Sequence, residues 1–461
     1  MEENKNKAYS DERASSFQGS VKSQSHADVS ADSSVSECCS ENKSNGPQAI
    51  ASNEVDTPIS NVDKLSWSII IVLGMLSAFG PICTDLYLPA IPTITQELMT
   101  DPSTMQLTLT ASFFGLAIGQ LIIGPLSDAY GRKRPLYICL VMFVLSSLWC
   151  AYAPSINQLI VARFFQGISG ASGIVLSRTI ACDMYTGPRL TKFMSLLMTV
   201  NGVAPILGPI MGSAIVSVWA WPVLFVFLAL WGAVLLFCTV TVLKETHPVQ
   251  NRSANLLGSI KGMLSELTNV RFVLLSLALS FVMGAFFGYL ASSPFIFQSI
   301  YGLSPFGYSI VFAINAFSIG VAANIAGFLT KYLKEKTIVY GAISMQILLC
   351  MVFIAVVSLQ LDNLYIVALI LGLFVSMMGA AQTAGFGIVM GARKGGAGSA
   401  SGIFGVLTFI FGAITSPLVG LMGEQSMVPI MATMSVCSLM AILCFALAQR
   451  FHDGQAHEVA H

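Results

Sequence analysis

An aspartate, Asp85, lies inside the first apolar run of the chain, in the stretch Ile82-Cys-Thr-Asp-Leu-Tyr-Leu-Pro-Ala-Ile-Pro92. A second charge, Arg163, lies a few residues inside a later apolar run. Removal from water favours the neutral form of a carboxyl group, whereas a nearby guanidinium favours its charged form. A carboxyl group under both influences can bind a proton in one state of the protein and release it in another. We therefore predict that Asp85 and Arg163 form a proton-coupling pair.

Each charge also has a simpler interpretation. Asp85 can end its helix in water, and the long side chain of Arg163 can extend along the helix to the lipid headgroups. Placing Asp85 in the outer half of the first span and Arg163 about 10 Å inside the fourth gives the two charges a similar depth. The sequence leaves both interpretations open.

The composition indicates which elements hold these charges. Of the 461 residues, 55% are hydrophobic and only 10% are charged, and the mean hydropathy is +0.75. Soluble domains carry about 25% charged residues, so the chain is predicted to be an all-α integral membrane protein within a lipid bilayer. The net charge of zero argues against nucleic acid as a partner. Without a C-x-x-C pattern or a nucleophile–base constellation, we predict neither a metal site nor an enzyme.

The apolar runs are long enough for helices that cross a bilayer, which needs about 20 residues each. Twelve are predicted, at 67–91, 105–126, 136–153, 158–180, 193–217, 221–243, 271–297, 307–329, 338–358, 364–390, 400–423 and 427–448. Lys and Arg occur only in alternate loops, so these loops and both termini are predicted to be cytoplasmic.

The longest internal polar connection, 244–270, divides the spans six and six. Elements of the first half recur at similar spacing in the second: Gly208-Pro-Ile-Met-Gly212 is matched by Ser416-Pro-Leu-Val-Gly420. We predict two pseudo-symmetric six-helix bundles at 66–243 and 271–448, a disordered cytoplasmic tail at 1–65, the central loop at 244–270 and a second tail at 449–461.

Two motifs accompany the charges. The loop Gly124-Pro-Leu-Ser-Asp-Ala-Tyr-Gly-Arg-Lys-Arg-Pro-Leu136 is predicted to form a tight basic turn between two helices. The fifth span contains Ala204-Pro-Ile-Leu-Gly-Pro-Ile-Met-Gly-Ser213, whose prolines and glycines predict a bent helix with a closely packed neighbour.

These motifs together resemble those of the major facilitator superfamily. The loop is similar to its signature G-x-L-x-D-x-x-G-R-K-x-x-L, and the stretch around Arg163 resembles its fourth-span motif, in which the arginine is tied to proton transfer. The fifth-span element resembles that of the family's exporters, with Ala204 and Ser213 replacing the outer glycines. Asp85-Leu-Tyr-Leu-Pro89 resembles the D-x-x-x-P element of drug:proton antiporters, more narrowly the Bcr/CflA group.

The resemblance implies a monomeric carrier that exports amphipathic small molecules or drugs, with phenicols or bicyclomycin as substrate types, across a bacterial inner membrane. It implies alternating access, no cofactor other than a proton gradient, and a cytoplasmic latch in the loop. The latch residues are Gly124, Asp128, Gly131, Arg132 and Lys133, and the antiporter element comprises Pro205, Gly208, Pro209 and Gly212. As residues lining a substrate cavity we predict Tyr87, Gln120, Asn201, Phe286, Tyr289 and Asn315.

Two other functions fit the same sequence. One is a dedicated exporter of a metabolite or siderophore, or a proton-coupled importer, with the same fold. The other is a sensor or scaffold that acts through the N-terminal tail.

Overall fold

The computed structural model describes residues 67–185, 187–248, 262–394, 397–420 and 426–458. The predicted tail at 1–65 lies outside the described residues, as do residues 249–261 of the predicted central loop. Every regular element in the described part of the chain is a helix, as predicted.

The α-helices follow one another from α1 to α14. Their bounds are α1 (Trp67–Ser77), α2 (Phe79–Asp85), α3 (Ile91–Glu97), α4 (Pro102–Tyr130), α5 (Lys133–Ala151), α6 (Ile156–Met184), α7 (Gly187–Val216), α8 (Pro222–Val242), α9 (Val270–Pro294), α10 (Pro305–Leu329), α11 (Glu335–Ser358), α12 (Leu364–Gly391), α13 (Ala397–Leu418) and α14 (Val428–Glu458). Short 3-10 helices occupy Leu88–Ala90 and Glu266–Thr268, and a π-helix, Phe295–Ile300, extends α9.

Within the described residues, eleven helices are long and apolar enough to cross a membrane, and α1 with α2 and α3 makes a twelfth span. The prediction of twelve spans is therefore confirmed.

Helix α14 continues ten residues beyond the end predicted for the last span, and α4 begins three residues earlier than predicted. At that earlier start, Asp101 caps α4 by accepting a hydrogen bond of 2.8 Å from the backbone N–H of Thr104. Hydrogen bonds from the Thr104 hydroxyl and backbone lower the pKa of the Asp101 carboxyl.

The first span differs from the continuous helix predicted over 67–91. It bends by 45° at Ala78, between α1 and α2, and passes through the 3-10 turn Leu88–Ala90 before α3. Pro81 has no N–H to donate to the carbonyl of Ser77, and its ring crowds that carbonyl, so the helix breaks one turn before the proline. Asp85 consequently lies at the end of the short helix α2.

Lys and Arg occur in alternate loops, so the basic loops lie at one end of the helices and the molecule has two distinct sides. We call the side that carries Arg132, Lys133 and Arg134 the basic side and the other the opposite side. Helices α1 to α8 form the N-terminal half, in which α4 packs along α6, and α9 to α14 form the C-terminal half, in which α9 packs along α14 and α10 along α12. The halves meet where α4 lies on α13 and α7 lies on α10.

Four hydrogen bonds between described residues join the halves toward the opposite side. Gln106 donates to the carbonyl of Ala291 (3.4 Å), Gln298 to that of Pro89 (3.1 Å), Ser309 to that of Pro209 (2.8 Å) and Ser416 to that of Gln106 (3.4 Å). Toward the basic side, a Cβ on Gly124 of α4 or Gly398 of α13 would have no atom within 4 Å. The halves are thus held together on the opposite side.

Candidate functional site

Asp85 lies in the interior, with only 3% of its surface exposed. Its carboxylate accepts a hydrogen bond of 3.1 Å from the Thr84 hydroxyl. Helix α7 packs directly against it, because a Cβ on Gly208 would lie 3.0 Å from the Asp85 Cβ. The next residue on α7, Pro209, accepts a hydrogen bond of 2.8 Å through its carbonyl from the hydroxyl of Ser309 in the C-terminal half. The carboxyl group therefore lies within the protein and close to the boundary between the halves.

The fifth-span element shapes this site from the side of α7. A Cβ on Gly212 would lie 1.9 Å from the carbonyl oxygen of Leu86, so only glycine permits the observed approach of the two backbones. Pro205 and Pro209 lie within α7, and the carbonyl of Pro209 accepts the hydrogen bond from Ser309 across the halves. Gly208, Pro209 and Gly212 thus hold α7 against both the end of α2 and α10, and Pro205 lies one turn earlier in the same helix.

Arg163 is fully buried, but it faces another side of α2. Its Nη1 donates to the carbonyl of Cys83 (3.1 Å) and to Oε1 of Gln166 (2.6 Å), and the guanidinium carbon lies 4.7 Å from the centre of the Tyr87 ring. The Nε and Nη2 atoms have no hydrogen-bond partner among the described residues, so the aromatic face is their main neighbour.

Asp85 and Arg163 do not form an ion pair within 4 Å. Cys83 and Tyr87 are four residues apart and share one face of the first span, whereas Asp85 lies between them and projects away. Arg163 therefore holds the position of α2, and the carboxylate of Asp85 is free of it. Gln166 also donates a hydrogen bond to the Ser147 hydroxyl (2.8 Å) and so completes this network. Its position three residues after Arg163, within the fourth-span motif, is the sequence feature that could have predicted the contact.

Three of the predicted cavity residues come together in the C-terminal half. The Asn315 amide donates to the Tyr289 hydroxyl at 2.8 Å, and the Tyr289 and Phe286 rings lie 6.4 Å apart between centres. The neighbouring Tyr308 shares a hydrogen bond of 3.1 Å with Ser293. An aromatic and amide cluster thus lies within the C-terminal half, and Tyr308 and Ser293 are its members that were not predicted from the sequence.

The other three predicted cavity residues lie apart from this cluster. Tyr87 is buried within the N-terminal half, hydrogen-bonded to Thr108 and near the Phe225 ring. Asn201 of α7 donates to the Ser77 hydroxyl of α1 at 2.6 Å. Gln120 of α4 packs tightly against Gly405 of α13.

The basic turn between α4 and α5 is a compact polar cluster. Gly131 has φ +88°, a conformation that side chains disfavour, and this allows the chain to reverse. Arg132 donates through Nε to Asp183 (2.8 Å) and through Nη1 to Ser127 (2.9 Å) and Asp128.

Glu245, at the end of the first half, accepts hydrogen bonds from the backbone N–H groups of Arg132 (2.9 Å) and Lys133 (3.2 Å). The Lys133 ammonium lies 5.3 Å from the centre of the Tyr137 ring. The described partners all belong to the N-terminal half, and the sequence analysis missed Asp183 and Glu245, which are distant in sequence.

We expect Arg132→Ala to lower the free energy of unfolding by at least about 2 kcal/mol and to impair transport, since Asp183 would lose its charged donor. The thermal unfolding midpoint of the purified protein measures the first effect. Arg134→Ala is the control, because Arg134 is exposed at the same turn. Equal midpoints for the two variants would exclude a stabilising role for the cluster.

A cavity of about 630 Å³ lies elsewhere, between α4, α6 and α13. Its lining is almost wholly apolar and includes none of the predicted site residues; it comprises Leu107, Thr110, Ala111, Phe114, Ile160, Val161, Phe164, Ile410, Ala413 and Ile414.

The fold and the site define a membrane carrier built from twelve helical spans in two halves. Residues 69–417 match the Major Facilitator Superfamily, and the chain belongs to this family. It is 38% identical over 389 residues to the uncharacterized MFS-type transporter YdgK of Bacillus subtilis strain 168, covering 83% of this chain and 96% of that one.

Two further proteins illustrate the likeness. The bicyclomycin resistance protein homolog of Haemophilus influenzae is 29% identical over 387 residues, covering 84% of this chain and 97% of that one. The crystal structure of a D-xylose–proton symporter superimposes with a TM-score of 0.67 at 14% identity, covering 83% of this chain and 96% of that one. The predicted family and the pseudo-symmetric two-bundle fold are therefore confirmed, and the chain is a transporter rather than an enzyme.

Proposed function

We propose that the protein is a proton-coupled antiporter that exports amphipathic small molecules by alternating access. The basic side faces the cytoplasm of a bacterial cell, and the carrier lies in the inner membrane. Asp85 takes up a proton from the outer side as substrate leaves and releases it toward the cytoplasm before the next substrate binds.

The position of Asp85 carries this proposal. Among the described residues, Asp85 is the one acidic residue that lies in the apolar middle of a membrane span, and its side chain is almost fully buried. An intramembrane carboxyl group is a costly feature that marks a pathway for ions or substrate. The close packing of Gly208 on Asp85, and the hydrogen bond between Pro209 and Ser309 of the other half, support a role in which movement of the halves changes the surroundings of this group.

The direction of transport is inferred from the fifth-span element. The element resembles the exporter motif at Pro205, Gly208, Pro209 and Gly212. Its two glycines pack on Asp85 and on the neighbouring Leu86. The similarity to a bicyclomycin resistance protein homolog supports a drug-like substrate of this kind.

The proton gradient is sufficient for the proposed work. One pH unit supplies about 1.4 kcal/mol, and about 100 mV adds roughly 2.3 kcal/mol for each net charge moved. One proton exchanged for a neutral substrate therefore supports a gradient of several hundred-fold. For a monovalent cation the exchange is electroneutral and supports about tenfold per pH unit.

Transport in proteoliposomes tests the proposal. The purified protein is reconstituted with a pH-sensitive dye inside the vesicles, and chloramphenicol, ethidium and norfloxacin are added in turn to the outside under an imposed pH gradient. We expect substrate to move in one direction and protons in the other. Movement of both in the same direction would indicate a symporter, and proton-independent uptake would exclude coupling.

A further inference from the structure

A third charge lies within the spans and has no part in the site described above. Arg178 is on α6, six residues before its end at Met184, which places its Cα about 9 Å from the basic-side end of the helix. Its side chain is exposed, and it makes no hydrogen bond or ion pair with any described residue. A guanidinium within a span is costly, and such residues commonly mark substrate or ion pathways.

The face of α6 on which Arg178 lies is turned toward other helices rather than toward lipid. Ala171 and Ile174, seven and four residues earlier, lie on the same face of the helix. Ala171 packs against Gly119 of α4, and Ile174 packs against Gly80 of α2. In each pair, a Cβ added to the glycine would lie 2.6 Å from the nearest side-chain atom on α6. Because the side chain of Arg178 is exposed, there is open space in front of it on this inward face.

The charge of Arg178 is not compensated by an acid in the described part of the chain. Asp183, the acid nearest to it on α6, is held by Arg132 (2.8 Å) and by the Thr246 hydroxyl (3.0 Å). Asp85 lies near the other end of the pathway: Arg163, which contacts Cys83, precedes Arg178 by fifteen residues, or about 22 Å along the helix.

We propose that Arg178 is a substrate-binding residue on the inward face of α6, near the basic side, and that it recognises a carboxylate or other acidic group of an amphipathic substrate. A planar guanidinium binds a carboxylate through two parallel hydrogen bonds, and an apolar lining strengthens such a contact. The carrier therefore prefers an acidic amphiphile to its neutral ester or to the corresponding amine. This inference rests on the proposed transport of amphipathic molecules and names their chemical class.

Binding of three matched ligands tests the inference. The ligands are 11-(dansylamino)undecanoic acid, its methyl ester and the amine with the same chain, titrated into the full-length protein in nanodiscs without a proton gradient. Dansyl fluorescence reports binding. We expect the wild type to bind the acid about tenfold more tightly than the ester, because a tenfold difference in affinity corresponds to at least one charge-assisted hydrogen bond.

Arg178→Gln should remove this tenfold preference while the affinity for the ester stays the same, and Arg178→Lys should retain part of it. Arg134→Gln, which removes an exposed charge on the same side of the membrane, should preserve the preference. Partition of each ligand into the lipid is equal for all variants, so the change in the acid-to-ester ratio isolates the role of Arg178. Thermal unfolding midpoints establish that each variant is folded.

An unchanged ratio in Arg178→Gln would overturn the inference, as would an equal loss of affinity for acid and ester, which would indicate a packing role. The assay needs no gradient, so its outcome is independent of proton coupling. A preference that disappears in Arg178→Gln while proteoliposomes show no proton exchange would support the binding residue and reject the antiport mechanism.

Discussion

Replacing Asp85 with asparagine is expected to reduce substrate-coupled proton movement to the level of protein-free liposomes, while the protein still folds and enters the membrane. Asparagine has nearly the same volume as aspartate, so the packing against Gly208 is retained. Its amide oxygen can still accept the hydrogen bond from Thr84. The amide does not exchange a proton with water near neutral pH, so the coupling step alone is removed. The measurement is the change in internal pH on addition of substrate to proteoliposomes.

Asp101→Asn provides the matched control for this experiment. It makes the same chemical change at the exposed N-terminus of α4, where asparagine is an equally good cap. We expect this variant to transport at the wild-type rate. If the Asp85→Asn protein also moved protons at the wild-type rate, the coupling role assigned to Asp85 would be wrong.

The second large effect is expected from Gly212→Ala. The added methyl group would lie 1.9 Å from the carbonyl oxygen of Leu86, a backbone atom that moves only with the end of α2. Overpacking of this kind typically costs about 1–3 kcal/mol. Because α2 carries Asp85, we expect loss of transport together with a lower thermal unfolding midpoint.

Gly202→Ala is the control on the same helix. A Cβ at this position would meet no atom within 4 Å, and alanine favours a helix by about 1 kcal/mol relative to glycine. Its midpoint should equal or exceed that of the wild type, with transport retained. A Gly212→Ala protein that behaved in the same way would show that the close approach of α7 to Leu86 has no functional role.

The number and type of the spans could be predicted from the sequence because both depend on properties that are additive along the chain. Apolar runs of sufficient length predicted the helices, and the alternation of Lys and Arg predicted two distinct sides. The exception is the first span, where Pro81 breaks the helix and produces a 45° bend. The proline was visible in the sequence, but whether a proline kinks or merely curves a helix depends on its neighbours.

The partners of the charged side chains could not be predicted in the same way. Similar depth suggested that Asp85 and Arg163 face each other, yet Arg163 contacts Cys83 and Tyr87 on another face of the first span. Similarly, Asp183 joins Arg132 from a distant part of the sequence. Depth follows from counting residues along a helix, whereas contact also depends on rotation about its axis.

The sequence by itself determined that this chain is a twelve-span membrane protein with one acid deep in its first span. Only the tertiary structure decided that this acid faces α7 and the boundary between the halves, that Arg163 supports α2, and that Arg178 faces an open space. The physical reason is that each residue turns a helix by about 100°. The rotation of each helical segment about its axis is set by breaks such as the one at Ala78 and by packing against neighbouring helices. Both depend on contacts between residues that are distant in sequence.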